Sequence, residues 1–257
     1  MKIKRGKIIT ITSMKGGVGK TTAVLGISYI YSNLKKKTLI IDLDLFTGSI
    51  AFALNLNSTR NIYNLYDDIS NNRLNDMDKY VVPYNEFIDV LTSPKDPRYA
   101  SKIDKVALEK IITNYSYLYD VIIIDTSHLF TVTNLVAYSL SDKILNLLTN
   151  DIFDLKNTKN FITLCHNIGV DNLTLILNES NKTNKGYFSM YDMKSIIGSK
   201  ISYVIPKDFY IKNYDMYIME NKVFDIFKKL KKEKTYLTFE QNLLKILESE
   251  EVEYDKE

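Results

Sequence analysis

Residues 13–22 read Ser-Met-Lys-Gly-Gly-Val-Gly-Lys-Thr-Thr, a spacing suited to gripping a chain of phosphates. Gly16, Gly17, Val18 and Gly19 let successive backbone N–H groups close around phosphate oxygens. Lys20 supplies a point charge for the β- and γ-phosphates, and the Thr21 hydroxyl suits Mg²⁺. A helix starting near Thr21, with Thr22 in its first turn, adds the positive end of its dipole. Met14 stands where the ordinary loop has its first glycine, and a second lysine, Lys15, follows it. Such a loop requires carboxylates at neighbouring strand ends. One apolar run ends in Asp42-Leu43-Asp44, and another, Val121-Ile122-Ile123-Ile124, ends in Asp125. Asp125 can hold Mg²⁺ through a water beside Thr21, or it can simply cap the following turn. Asp44, just past its strand, is placed to orient an attacking water, which leaves Asp42 nearer the loop and the metal.

The elements that must position these residues are legible as an alternation. Strand-like apolar runs occur at Ile8–Thr12, Thr38–Asp42, Ile88–Leu91, Val121–Asp125, Ile144–Leu148, Leu173–Asn178 and Ile201–Ile205. Several are almost continuous in Ile, Val and Leu, as parallel strands buried on both faces require. Helical patterns lie between them at Thr22–Leu34, Ile103–Tyr115, Asn134–Ser141, Ile152–Asn167 and Met190–Ile197. The expected fold is α/β: a doubly wound, mostly parallel sheet with helices on both faces and the ligand at the carboxyl ends of the strands. Without a Pro/Gly/Ser-rich linker or a repeat, residues 1–257 read as one domain, with a C-terminal helix and acidic tail from about residue 235.

Bulk properties narrow the field. The 257 residues are 45% hydrophobic, enough for a sizeable core, and a net charge of +3 gives no general argument for nucleic acid or membrane. Cys165 is the single cysteine, which excludes internal disulfides and a thiolate cluster within one subunit. It reads as a small buried hydrophobe. No apolar stretch approaches the roughly 20 residues that span a bilayer, and MKIKRGKIIT lacks the apolar region of a signal peptide. A cytoplasmic location is expected.

The string Lys15-Gly16-Gly17-Val18-Gly19-Lys20-Thr21-Thr22 resembles the deviant Walker A motif of the MinD/ParA class of ATPases. The resemblance covers about residues 7 to 225 and implies ATP and Mg²⁺ as ligands, slow ATP hydrolysis and a nucleotide-sandwiched homodimer. In such a dimer Lys15 reaches the partner's phosphates, Asp44 matches the water-activating residue and Asp125 the Walker B aspartate. Three stretches look most like the CpaE/TadZ branch, which serves assembly and polar placement of Flp/Tad-type pili: Asp42 to Ala51, Thr149 to Thr158, and Leu177-Asn178 with Ile205-Pro206-Lys207-Asp208. By that likeness Asn178 hydrogen-bonds the base, Pro206 shapes its pocket, and the partner is a protein of a pilus, secretion or positioning system. The chain would then also sit peripherally at the inner face of the membrane or at a cell pole. Two features depart from the pattern. Asp125-Thr126-Ser127-His128 replaces the frequent D-T-P-P, which predicts a less rigid switch segment. The chain also opens on its first strand rather than on a receiver-like domain, which favours stand-alone members, including partition ATPases.

Two segments carry alternatives. His128 can serve as a switch or proton shuttle beside Asp125, or be a polar contact only. Residues 223–234 (VFDIFKKLKKEK) form a basic amphipathic helix, with Val223, Ile226, Phe227 and Leu230 on one face. Lysines from Lys228 to Lys234 on its other face can contact an anionic membrane or non-specific DNA, or be merely solvated. The tail, with Glu248, Glu250, Glu251, Glu253 and Asp255, would repel anionic lipid. A nucleotide-binding scaffold without turnover remains an alternative to the ATPase. Among other enzymes on related folds, a tyrosine kinase would need more tail tyrosines than Tyr254, and an iron–sulfur reductase would need bridging cysteines.

Overall fold

A computed structural model describes residues 4–180 and 186–248, without the Lys234 side chain. The acidic stretch from Glu250 to Asp255, with Tyr254, lies outside the described residues.

The chain alternates as its sequence predicts. The strands are β1 (Lys7–Thr12), β2 (Thr38–Leu43), β3 (Val82–Pro83), β4 (Ile88–Leu91), β5 (Val121–Thr126), β6 (Lys143–Leu148), β7 (Leu173–Asn178) and β8 (Tyr203–Ile205). The helices are α1 (Lys20–Asn33), α2 (Ile50–Ala53), α3 (Ile62–Ser70), α4 (Lys105–Ser116), α5 (Val132–Leu140), α6 (Ile152–Asn167), α7 (Met190–Ile197), α8 (Tyr214–Met219), α9 (Val223–Leu230) and α10 (Lys234–Glu248). Among the described residues the strands form one sheet in the order β3-β4-β2-β5-β1-β6-β7-β8. Every pairing is parallel except that of β3 with β4.

Period-two alternation along the strands divides the core into two layers. Ile9, Ile11, Ile40, Ile123 and Leu145 face the layer that contains α1 and α9. Ile8, Leu39, Ile41, Ile122 and Ile124 face the opposite layer with α4 and the start of α3. Beyond β1 that second layer continues as Ile144 with Tyr138 and Phe161, then Leu148 and Leu177 with Met193 of α7. Cys165 is buried there, and burial pushes its thiol up to about 12, so it behaves as the small hydrophobe expected. Because β1 sits mid-sheet, with β5 on one side and β6 on the other, the loop after β1 emerges at a crevice open to both halves of the molecule.

The structure adds elements that apolar periodicity does not reveal. The helix α3 is rich in Tyr, Asn and Asp and is set by a reciprocal capping box between Asn61 and Asn64. The short α8 and the two-residue edge strand β3 carry too few apolar positions to show a period.

The C-terminal region corrects the sequence reading. The basic helix expected over 223–234 ends at Leu230, and after a turn at Lys231 to Glu233 a separate helix, α10, begins. The break lets both helices bury apolar residues against α1: Val223, Ile226 and Phe227 from α9, and Leu243 and Leu247 from α10. Phe227 approaches so closely that an added Cβ at Gly26 would lie 3.1 Å from its ring. The apolar face is therefore consumed by the core and cannot enter a lipid surface. Of the lysines proposed for membrane or DNA contact, Lys228 pairs with Asp225 at 3.0 Å, Lys229 donates to the Tyr217 hydroxyl at 2.7 Å, and Lys231 lies 3.9 Å from Glu240. Among the described residues no helix is long and apolar enough to cross a membrane.

Phe227→Ala should destabilise the chain by about 3 kcal/mol or more through lost burial and the cavity left over α1. Urea unfolding followed by circular dichroism measures this, and a loss below about 1 kcal/mol would contradict the packing described.

Candidate functional site

The loop after β1 is shaped by two neighbours from other parts of the chain. Ser13, buried at the strand end, donates to the Lys15 carbonyl at 2.7 Å and accepts from Lys20 Nζ at 3.0 Å, which ties the start of the loop to its end. Asn178, at the end of β7, donates to the Val18 carbonyl at 2.8 Å. Gly19 has a φ of +100°, and an added Cβ there would stand 2.9 Å from Asn178 Nδ2, so glycine is required for both conformation and space. Gly19 is also the N-cap of α1 and makes no side-chain cap bond. The first-turn N–H groups of a 14-residue helix thus remain available to an anion. Gly16 and Gly17 are exposed at the crest of the loop.

Thr21 links the loop to the carboxylates. Its hydroxyl donates to Asp125 Oδ2 at 2.8 Å and lies 2.9 Å from the Ser49 hydroxyl. Asp125 Oδ1 is buried and, among the described residues, has no hydrogen-bond partner. A buried, unpaired carboxylate oxygen beside a hydroxyl suits a hard cation and its waters. Asp42 is the register partner of Asp125 on the adjacent strand. Its oxygens accept from Asp44 N at 3.1 Å and Ile50 N at 3.2 Å, with Ser93 Oγ at 3.4 Å. Asp42 therefore fastens the 42–50 turn, and both its oxygens are engaged in doing so. Gly48 lets that turn pass over Ser93, because a Cβ there would collide with Ser93 Oγ. Asp44 is half-buried and accepts from the Thr47 hydroxyl at 2.5 Å. Among the described residues no three His, Cys, Asp or Glu side chains converge as a free-standing metal cage. A cation at Thr21 and Asp125 would need phosphate oxygens to complete its shell, as Mg²⁺ in phosphate loops does.

The electrostatics follow from burial. Burial raises Asp125 to about 7, with bonding to Thr21 and attraction to Lys20 as the opposing influences. Asp42 lies well above the usual carboxylate range through burial and repulsion from Asp125. Burial lowers Lys20, and Asp125, Asp44 and Asp154 offset part of that effect. The site thus holds two carboxylates that burial drives toward their neutral forms until positive charge arrives.

Lys15 is half-buried, and its Nζ lies 3.4 Å from Asp151 Oδ2 within the same chain. Asp151 caps α6 by accepting from Phe153 N and Asp154 N, and these bonds, with Lys15, hold its carboxyl below the ordinary range. Asp154 lies behind it, buried, accepting from Thr149 N and Oγ1 at 2.8 Å. Sequence reasoning gave Asp151 no role, although an Asp following an apolar strand and opening a helix is a readable cap signal.

On the far side of the loop, Gly19, Thr22, Asn178, Phe209, Ile211 and Tyr214 line a cavity of about 410 Å³, a size within the range of small-ligand pockets. Asn178 reaches it with one amide hydrogen committed to Val18, while its carbonyl accepts from Ser180 N and Oγ. Pro206 is the N-cap of the 3₁₀ turn Lys207–Phe209, and that turn lines the cavity through Phe209 rather than through Pro206. Phe209, Ile211 and Tyr214 have no sequence motif to mark them.

His128 is exposed, with Nδ1 about 4.0 Å from where a Gly16 Cβ would stand, beside the loop crest. The segment without prolines is held by another device. Buried Asn134 donates to the Ser127 carbonyl at 3.0 Å and to the Leu129 carbonyl at 2.7 Å.

A family profile described as an AAA domain matches residues 6–174. The virulence plasmid ParA family protein pGP5-D of Chlamydia psittaci is 30% identical over 217 residues, which span 76% of this chain and 80% of that protein. In fold, the chain is similar to a ParA family ATPase from Chlorobium tepidum, with a TM-score of 0.77 and 19% identity over 91% of this chain and 98% of that one. It is similar also to the septum site-determining protein MinD of Pyrococcus horikoshii in complex with Mg-ADP, with a TM-score of 0.70 and 21% identity over 94% of each chain.

The raised Asp125 makes the ligand-free chain pH-sensitive. A carboxyl raised from about 4 in the unfolded chain stabilises the fold below pH ~4, and that contribution is lost as pH rises through about 7. Asp125→Asn, which stays neutral, should therefore gain melting temperature relative to the parent at pH 8 and not at pH 4. Equal offsets at the two pH values in a thermal melt would argue against the raised carboxyl.

Proposed function

The chain belongs to the AAA domain family (AAA_31) and to the MinD/ParA class of P-loop ATPases, and on that premise we propose that it is an ATP-dependent dimerising switch that hydrolyses ATP slowly. The observation that carries this reading is the Thr21–Asp125 pair with its orphaned Asp125 oxygen, set against the uncapped start of α1. The Mg-ADP complex of the Pyrococcus protein, on the same fold, supports a magnesium-bound nucleotide as the ligand.

In the proposed cycle the amides of Gly16, Gly17, Val18 and Gly19 hold phosphate oxygens, and Lys20 exchanges Ser13 for the β- and γ-phosphates. Thr21 and Asp125 would hold the Mg²⁺, whose charge would offset that of the triphosphate, with Asp42 acting behind them by fixing the 42–50 turn. Asp44 orients the attacking water, and Lys15 leaves Asp151 for the phosphates of a second copy. Both lysines then oppose the negative charge that builds as the terminal phosphate departs. Asn178 and the neighbourhood of Pro206 flank the base. Stored binding energy closes the dimer, hydrolysis reopens it, and a protein partner reads the closed state from the cytoplasmic side, in solution or at the membrane or pole.

The finer reading, pilus assembly or localisation of the Flp/Tad type, draws on the three CpaE/TadZ-like stretches, all of which fall at the carboxyl ends of strands around this loop. A second reading, ParA-like partition on DNA, draws on the 30% identity with a ParA family protein. A scaffold with little hydrolysis is the third, drawing on the Ser127-His128 replacement.

Light scattering should show ATP–Mg²⁺ converting monomer to dimer. The conversion should be lost in Lys20→Ala and reduced at least tenfold in Lys15→Ala, and phosphate release should disappear in Asp44→Ala while the dimer persists. A dimer indifferent to nucleotide would overturn the switch, and parental phosphate release near background would leave the scaffold. Salt-dependent binding to random duplex with ATP present would select partition over pilus assembly.

A further inference from the structure

The cavity beside the loop contains a group that the phosphate chemistry does not use. Tyr214 opens α8 immediately after Asn213, whose φ of +59° is left-handed, a conformation asparagine tolerates better than most residues. Through this turn the Tyr214 ring packs against the core beneath α1. Its hydroxyl is shielded from solvent and lies near the Thr22 side chain, close enough to interact with it but outside the distance and angle of a formed hydrogen bond, and it has no other partner among the described residues. An unpaired buried hydroxyl costs stability that a phenylalanine would spare, so in the ligand-free chain the oxygen is a liability.

Its surroundings indicate when the hydroxyl becomes useful. Thr22 lies in the first turn of α1, one residue beyond the hydroxyl suited to Mg²⁺, and both Thr22 and Tyr214 line the cavity that Asn178 and Phe209 also line. The β- and γ-phosphates belong on the Lys20 side, so the phosphate next to the nucleoside falls on the Thr22 side. We propose that Tyr214 is a positioning residue of the nucleotide site: with nucleotide bound, its hydroxyl donates to Thr22 Oγ1 and so turns the Thr22 O–H toward the α-phosphate. This rests on the nucleotide reading above and extends it to a residue of α8. The helix behind it, α9, packs on α1 and is tied to α8 by the bond from Lys229 to the Tyr217 hydroxyl.

Tyr214→Phe separates the hydroxyl from the ring. The variant should melt at or above the parental temperature without ligand, yet bind a fluorescent N-methylanthraniloyl-ADP about fivefold more weakly, the loss expected for one hydrogen bond. Competition by adenosine, which lacks phosphate, should be unchanged. In Thr22→Val, adding Tyr214→Phe should cost no further affinity, because the relay is already broken. Parental ADP affinity in Tyr214→Phe would overturn the proposal. So would a fall in ligand-free melting temperature with a matching loss for adenosine, which would mark Tyr214 as packing only. Failure of the parent protein to bind the ADP probe would remove the nucleotide reading itself, and this inference with it.

Discussion

Two buried carboxylates on adjacent strands, Asp42 and Asp125, set the terms on which the rest of the site is built. They are register partners at the carboxyl end of the sheet, and burial drives both toward their neutral forms. Such a pair is costly unless cations or N–H dipoles face it. The chain divides the compensation. Asp42 is satisfied internally by the backbone of the 42–50 turn, whereas among the described residues Asp125 is satisfied on one oxygen only. That asymmetry makes one carboxylate a fastener and the other a receptor, although both end apolar strands in the same way.

The same economy governs the lysines. Lys20 is partly desolvated and held by Ser13, and Lys15 rests on Asp151 at the start of α6. In the proposed cycle a polyphosphate takes both lysines from these partners. Asp151 remains satisfied after such an exchange, because it still caps α6 through two backbone N–H groups.

The C-terminal helices serve the site indirectly. By burying Phe227, Leu243 and Leu247 against α1, they fix the helix whose free N-terminus forms the floor of the loop. The amphipathic pattern of α9 is thus a packing pattern, and its exposed lysines, Lys228 and Lys229, pair with Asp225 and Tyr217.

The glycine-rich string, the two strand-terminal aspartates and the strand–helix alternation were readable from the chain, because each depends on local geometry: backbone freedom, strand period and the distance between neighbouring strand ends. On that basis the doubly wound sheet, the phosphate loop and the place of Asp125 beside Thr21 follow from composition and spacing. Tertiary structure decided what long-range contact alone can decide. Asn178, separated from Val18 by 160 positions, bonds to its carbonyl, and Lys15 rests on Asp151. Helices α9 and α10 part at Lys231, and Tyr214 comes to lie against Thr22. Local sequence can assign a residue to a helix or a loop, but it carries no record of which distant backbone group lies within 3 Å of its side chain.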